Sequence, residues 1–155
     1  MSGIIGTGGS SSGVVGKTQI SEISGFYLVT PRGSSGGTPA MNSGSDTFSY
    51  ARIGSWCHIH GTIQITSTSG CSGTMQFKMP FLQADSVDGS GYHAVSVPTY
   101  SVDWPGNFLA LQGAGGSDWV SLYGINDGGA TSNIMTTGYF RINFGFRTKN
   151  SRLLT

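Results

Sequence analysis

Apolar and polar residues alternate along much of this chain with a period of two. From Trp56 to Thr66, Cys57, Ile59, Gly61, Ile63 and Ile65 fall on one side, and Trp56, His58, His60, Thr62 and Gln64 on the other. That period belongs to a strand with one face in a core and one in solvent. Thr74 to Pro80 repeats it, with Met75, Phe77 and Met79 inward and Gln76 and Lys78 outward. Tyr139 to Thr148 is the clearest case, setting Phe140, Ile142, Phe144 and Phe146 against Tyr139, Arg141, Asn143 and Arg147. Ile20–Thr30 reads as a first strand, with Ile20, Phe26, Leu28 and Val29 as its apolar material. Tyr92–Val102, Phe108–Gln112 and Trp119–Tyr123 are further strand-length runs, and no stretch carries a helical period.

Seven or eight such runs, separated by Gly, Asn and Asp clusters, predict an all-β sandwich closing two sheets over one core. Three regions follow. Residues 1–19 form a Gly/Ser-rich amino-terminal arm, residues 20–46 hold the first strand and a Gly/Ser/Pro-rich loop, and residues 47–155 form the sandwich. In the loop, Pro31, Pro39 and the run of glycines and serines over 31–46 argue against regular structure. The arm carries a repeat: Ser2-Gly3-Ile4-Ile5-Gly6 returns ten residues later as Ser12-Gly13-Val14-Val15-Gly16. Such a ribbon is costly to order alone, because glycine loses the most backbone freedom on folding. An attachment arm that docks on a neighbouring subunit through Ile4, Ile5, Val14 and Val15 competes here with a plain flexible terminus.

Composition sharpens this picture. The 155 residues include 26 glycines, only 10% are charged, and the net charge is +1. No basic stripe exists to neutralise phosphates, so nucleic acid is not an expected partner. No apolar run approaches the length that spans a membrane, and the first residues lack the basic start and apolar stretch of a signal peptide. A weakly charged surface suits a protein largely covered by partners, including copies of itself. Trp56 and Tyr139 on outward faces, together with Trp119, are the expected interface anchors, since aromatic residues are enriched at interfaces. Cys57 falls in a strand and Cys71 in a Gly-Ser turn. A bond between them stays open, and a reduced pair in a chain made in a cytosol is the simpler reading.

Candidate chemistry is sparse. Ser11–Thr18 ends in Gly-Lys-Thr but lacks the leading glycine, the preceding strand and the following helix of a phosphate-binding loop. His58 and His60 are neighbours on one strand face and could share a metal, but the favoured reading is a pair of surface or interface histidines. The seven acids lie mostly in turns, no two are paired by spacing, and Asp85–Asp88 and Asn126–Asp127 lack calcium-loop ligand spacing. No nucleophile elbow or Cys-His spacing is present, so neither catalysis nor a cofactor or metal is expected. Trp104 and Trp119, with Tyr100 and Tyr123, could line a sugar-binding surface; core or interface roles compete with it.

The run Thr47-Phe48-Ser49-Tyr50-Ala51-Arg52-Ile53-Gly54-Ser55-Trp56-Cys57-His58-Ile59-His60-Gly61-Thr62-Ile63 resembles a pattern common in structural proteins of tailed-bacteriophage virions. There, Tyr, a spacer, Arg or Lys, an apolar residue and Gly precede an alternating strand. Met79-Pro80-Phe81 matches that family's Leu-Pro-Phe segment with Met for Leu, and Gly138–Phe146 matches its closing strand. The resemblance covers residues 47–148 and carries no catalytic signature. It implies a jelly-roll-like antiparallel β-sandwich and a homotrimer on the capsid exterior. In that setting a head-decoration (cement) protein would grip the major capsid protein through its amino-terminal arm. Trp56, His58, His60 and Tyr139 are the expected trimer-contact residues. The alternative is a tail-fibre or receptor-binding tip that recognises host surface glycan through Trp104 and Trp119. The short segment before the sandwich, without a fibre shaft, favours decoration of the head.

Overall fold

A computed structural model of the chain describes residues 22–81, 94–96, 99–100, 102, 108–113, 116–125 and 131–148. These residues form twelve strands in two antiparallel sheets. The first sheet, A, holds β1 (Glu22–Leu28), β3 (Ala40–Met41), β4 (Thr47–Ile53), β5 (Trp56–Ser67), β8 (Thr99–Tyr100) and β12 (Gly138–Arg147). Its order is β1-β4-β5-β12-β8, and β3 pairs with the far end of β5. The second, B, holds β2 (Pro31–Gly33), β6 (Met75–Lys78), β7 (Ala94–Ser96), β9 (Phe108–Gly113), β10 (Trp119–Ile125) and β11 (Thr131–Asn133). Its order is β2-β6-β10-β9-β7, with β11 beside β10. The chain passes back and forth between the sheets, and the result is the antiparallel β-sandwich expected from the alternation.

The strictest alternations form the core. Ile59, Ile63 and Ile65 of β5 and Phe140, Ile142, Phe144 and Phe146 of β12 are fully buried, facing Met75, Phe77, Leu111, Val120 and Leu122 of sheet B. Phe77 and Phe140 meet across the sheets with ring centroids 6.3 Å apart. Gly61 sits among the large inward residues because Phe48, directly opposite on β4, lays its ring over it. The β4–β5 hairpin turns at Gly54, whose φ of 60° is left-handed backbone that glycine takes without steric cost.

Two expectations need correction. The segment 31–46 is not all irregular. Its Gly-Ser stretch is stitched to the β5–β6 connection by Ser34 N–H to Thr74 O (2.9 Å) and Ser72 N–H to Gly36 O (3.0 Å), which lets β2 and β3 form at its ends. Phe26 and Leu28 of the first strand turn outward. The register sets Gly25 against Tyr50, so the Tyr50 ring fills the inner face while Ile23 and Tyr27 complete it. Cys57 and Cys71 are both free, in agreement with the simpler reading of a reduced pair. Cys57 opens β5 and Cys71 lies beyond its far end; ten residues of strand separate Cys57 from Ser67, about 33 Å at ~3.3 Å per residue. A disulfide needs Cα atoms within about 7 Å.

The segments that carry the family resemblance meet physically. Tyr50 and Arg52 share the inward face of β4. Tyr50 packs edge-on against Phe81 at 5.4 Å, and the Arg52 guanidinium lies 5.4 Å from the same ring. Arg52 Nε donates to Thr148 Oγ1 (3.0 Å), which in turn donates to Ser55 O (3.2 Å). A buried cation is tolerable when hydrogen bonds and a ring face replace its water. These motif residues therefore close one end of the sandwich; they are structural determinants.

Candidate functional site

Each sheet presents one outer face, and the two faces differ in chemistry. On sheet A, β5 contributes Trp56, His58 and His60, as the alternation predicts. The register places Ile53 opposite Trp56, Ala51 opposite His58 and Ser49 opposite His60 on the β4 side. On the β12 side it places Arg147, Gly145 and Asn143. Large apolar side chains stand in solvent here: Phe26 is 79% exposed, Leu28 70%, Ile53 58% and Trp56 49%. Trp56 lies across Gly145, where a Cβ would stand 3.0 Å from Cζ2 of the indole. Phe26 and Leu28 project from β1, the edge strand entered directly from residues 1–21.

The four expected trimer-contact residues do not form one cluster. Trp56, His58 and His60 are consecutive outward positions on β5. Tyr139 pairs with Gln64, eight residues along the same strand, which is about 26 Å from Trp56. Tyr139 is half-buried there, opposite Tyr100 of β8. His58 Nε2 lies 2.5 Å from Asn143 Oδ1. Among the described residues no group of three or more His, Cys, Asp or Glu could hold a metal, so His58 and His60 gain no third ligand there.

The outer face of sheet B is polar and aromatic. Trp119, Ser121 and Tyr123 alternate along β10. Gln76 of β6 faces Ser121 from one side, and Gln112 of β9 faces it from the other. Arg32 of β2, opposite Gln76, places its guanidinium carbon 3.7 Å from the Trp119 ring centroid. Arg32 Nε donates to Gln76 Oε1 (2.9 Å), and Gln76 Nε2 donates to Ser121 Oγ (2.9 Å). Lys78 and Asp118 sit 4.0 Å apart at the margin, a solvent-screened pair worth little. Trp119 is thus not a core residue but a half-buried wall of this face. Sequence reading identified Trp119 and Tyr123 but missed Arg32, Gln76, Ser121 and Gln112. Their alternation was visible; the strand register that assembles them was not.

Two titratable groups between the sheets are strongly perturbed. Burial pushes the Cys57 thiol up to about 12, with the Arg52 charge pulling weakly the other way. The Tyr27 phenol is driven upward by burial and then by Cys57. Its hydroxyl has no hydrogen-bond partner among the described residues. A buried thiol held neutral is a poor nucleophile, so Cys57 acts as a small core residue.

Ile4, Ile5, Val14 and Val15 of the arm, the Gly-Lys-Thr run, His93, Trp104, the Asp85–Asp88 turn and the Asn126–Asp127 turn lie outside the described residues. Among the described residues, no helix is long and apolar enough to cross a membrane. No protein-family model matches this chain, and no curated protein matches it.

Proposed function

We propose that this chain is a non-enzymatic structural protein of a virion. It decorates the capsid as a homotrimer and fastens to the major capsid protein through its amino-terminal arm. The observation that supports this most is the outer face of sheet A, where Phe26, Leu28, Ile53 and Trp56 stand in solvent. Several large apolar side chains exposed on one face of a weakly charged protein mark an association face. Burying it between copies would also bring a neighbouring chain close to β1, an edge strand among the described residues. The resemblance of residues 47–148 to tailed-phage structural proteins supplies the setting.

In this reading the arm provides attachment and the sandwich forms the knob. Ile4-Ile5 and Val14-Val15 act as apolar plugs on a glycine backbone that lies close to another chain or adds to a sheet edge. Three arms on one trimer multiply weak contacts by raising the effective concentration of the second and third. Deleting residues 2–16 tests this. The truncated chain should fold and trimerise yet fail to co-sediment with shells of the major capsid protein; binding equal to that of the full chain refutes the proposal.

A further inference from the structure

We infer that the outer face of sheet B carries a binding site for a neutral saccharide, with Trp119 as the surface on which a sugar ring rests. The site is a shallow depression of about 90 Å³ lined by Gln76, Gln112, Ser117, Trp119, Ser121 and Tyr123. Two aromatic side chains four residues apart on β10 flank a floor of amides and hydroxyls. That combination suits a molecule with one apolar face of C–H groups and a rim of hydroxyls. Ring faces meet indole and phenol, and hydroxyls meet planar amides that both donate and accept.

The walls are fixed before any ligand arrives. Arg32 stacks on one face of the Trp119 ring at 3.7 Å, and the relay from Arg32 through Gln76 to Ser121 uses the carbonyl and the amine of one amide. That relay sets the Gln76 orientation and leaves the Ser121 hydroxyl hydrogen to donate outward. Ser117 Oγ accepts from Trp119 N–H (3.0 Å), which fixes the lip of the depression to the start of β10. Rigid walls lower the ordering cost of binding.

The same residues exclude other ligand classes. Arg32, the charge at the wall of the depression, is already engaged by Trp119 and Gln76, and Lys78 lies beside Asp118, so an anion gains little. A wholly apolar ligand would strip water from Gln76, Gln112 and Ser121 without replacing its hydrogen bonds. The volume lies well below the ~300 Å³ of an enclosing small-molecule pocket, so one ring seats on the surface instead of being engulfed. Weak single-site binding is then amplified wherever several copies face a polymer. The depression is on the sheet opposite Phe26 and Trp56, so association through sheet A leaves it open. The inference is independent of the virion reading.

The test uses the full chain on an array of neutral and anionic oligosaccharides, followed by solution titration of each ligand bound, observed by NMR. Neutral oligosaccharides should bind, and Trp119→Ala and Gln112→Ala should each weaken binding at least about tenfold. Arg141→Ala, an exposed position on the opposite sheet, should bind as the parent does. Gln112→Ala serves as the second groove variant because, unlike Trp119→Ala, it removes no side chain on which Arg32 packs. Failure to bind any neutral oligosaccharide overturns the inference. So does binding of anionic ones alone, or unchanged affinity in Gln112→Ala.

Discussion

Replacing Gly61 by alanine tests whether the core is packed as described. The new methyl would stand 2.6 Å from Cγ and 2.9 Å from Cε1 of Phe48, and closer still to Cδ1. Carbon pairs are most favourable at about 3.5–4.0 Å, so the ring must retreat by roughly 1 Å. It has little room: Phe48 is fully buried, and Tyr27 packs edge-on against it with centroids 6.0 Å apart. Overpacking of this kind costs about 1–3 kcal/mol. Restricting the unfolded chain at a former glycine returns roughly 0.4–1 kcal/mol. The net expectation is a loss of about 1–2 kcal/mol, or about 2–8 °C in Tm for a domain of this size. Thermal and urea denaturation of the variant measure it. In a Phe48→Leu background the same substitution should cost less, with a coupling of about 1 kcal/mol between the two sites. A Gly61→Ala variant as stable as the parent, or sites that add independently, would refute the stacking of Phe48 on Gly61.

Other consequences are equally direct. In light scattering the parent should have the mass of the proposed trimer, and the double variant Phe26→Ser, Trp56→Ser the 16.1 kDa of a monomer with its β-sheet circular dichroism preserved; equal masses for the two would contradict an interface through these residues. In the native state Cys71 should react with a maleimide promptly and Cys57 only on unfolding, since Cys57 is buried and its thiol is held neutral; equal labelling of both would contradict its burial. The Cys57 and Tyr27 values are raised in the fold, so the unfolded chain releases these protons first. Stability should be full below about pH 9 and fall as pH rises toward about 12; a denaturation midpoint that stays level across that window would argue against both burials.

The sequence made some of this legible and concealed the rest for physical reasons. β5, β6, β10 and β12 were readable because one face of each is buried without interruption, so the period of two is unbroken. β2, β3 and β11 are two or three residues long, and their existence depends on partners far along the chain. Phe26 and Leu28 illustrate a different limit. Hydropathy marks both as core material, yet Gly25 and the Tyr50 ring settle which face turns inward. Arg52 shows the converse: a charged residue reads as exposed, but Thr148 and the Phe81 ring, both distant in sequence, receive it. The sheet B depression combines Gln76 with Ser121 and Gln112, and only the register joins them. Trp56 and Tyr139 show the same dependence in the other direction, since both face outward yet stand at opposite ends of one strand pair.

The most direct test of the central claim is gold labelling of intact virus particles with an antibody to this chain, paired with a copy count per particle by quantitative mass spectrometry. Label spread over the head, at a copy number comparable to that of the shell subunits, is the predicted result. Label confined to the tail at a few copies, or absent from purified particles, would contradict a capsid decoration protein.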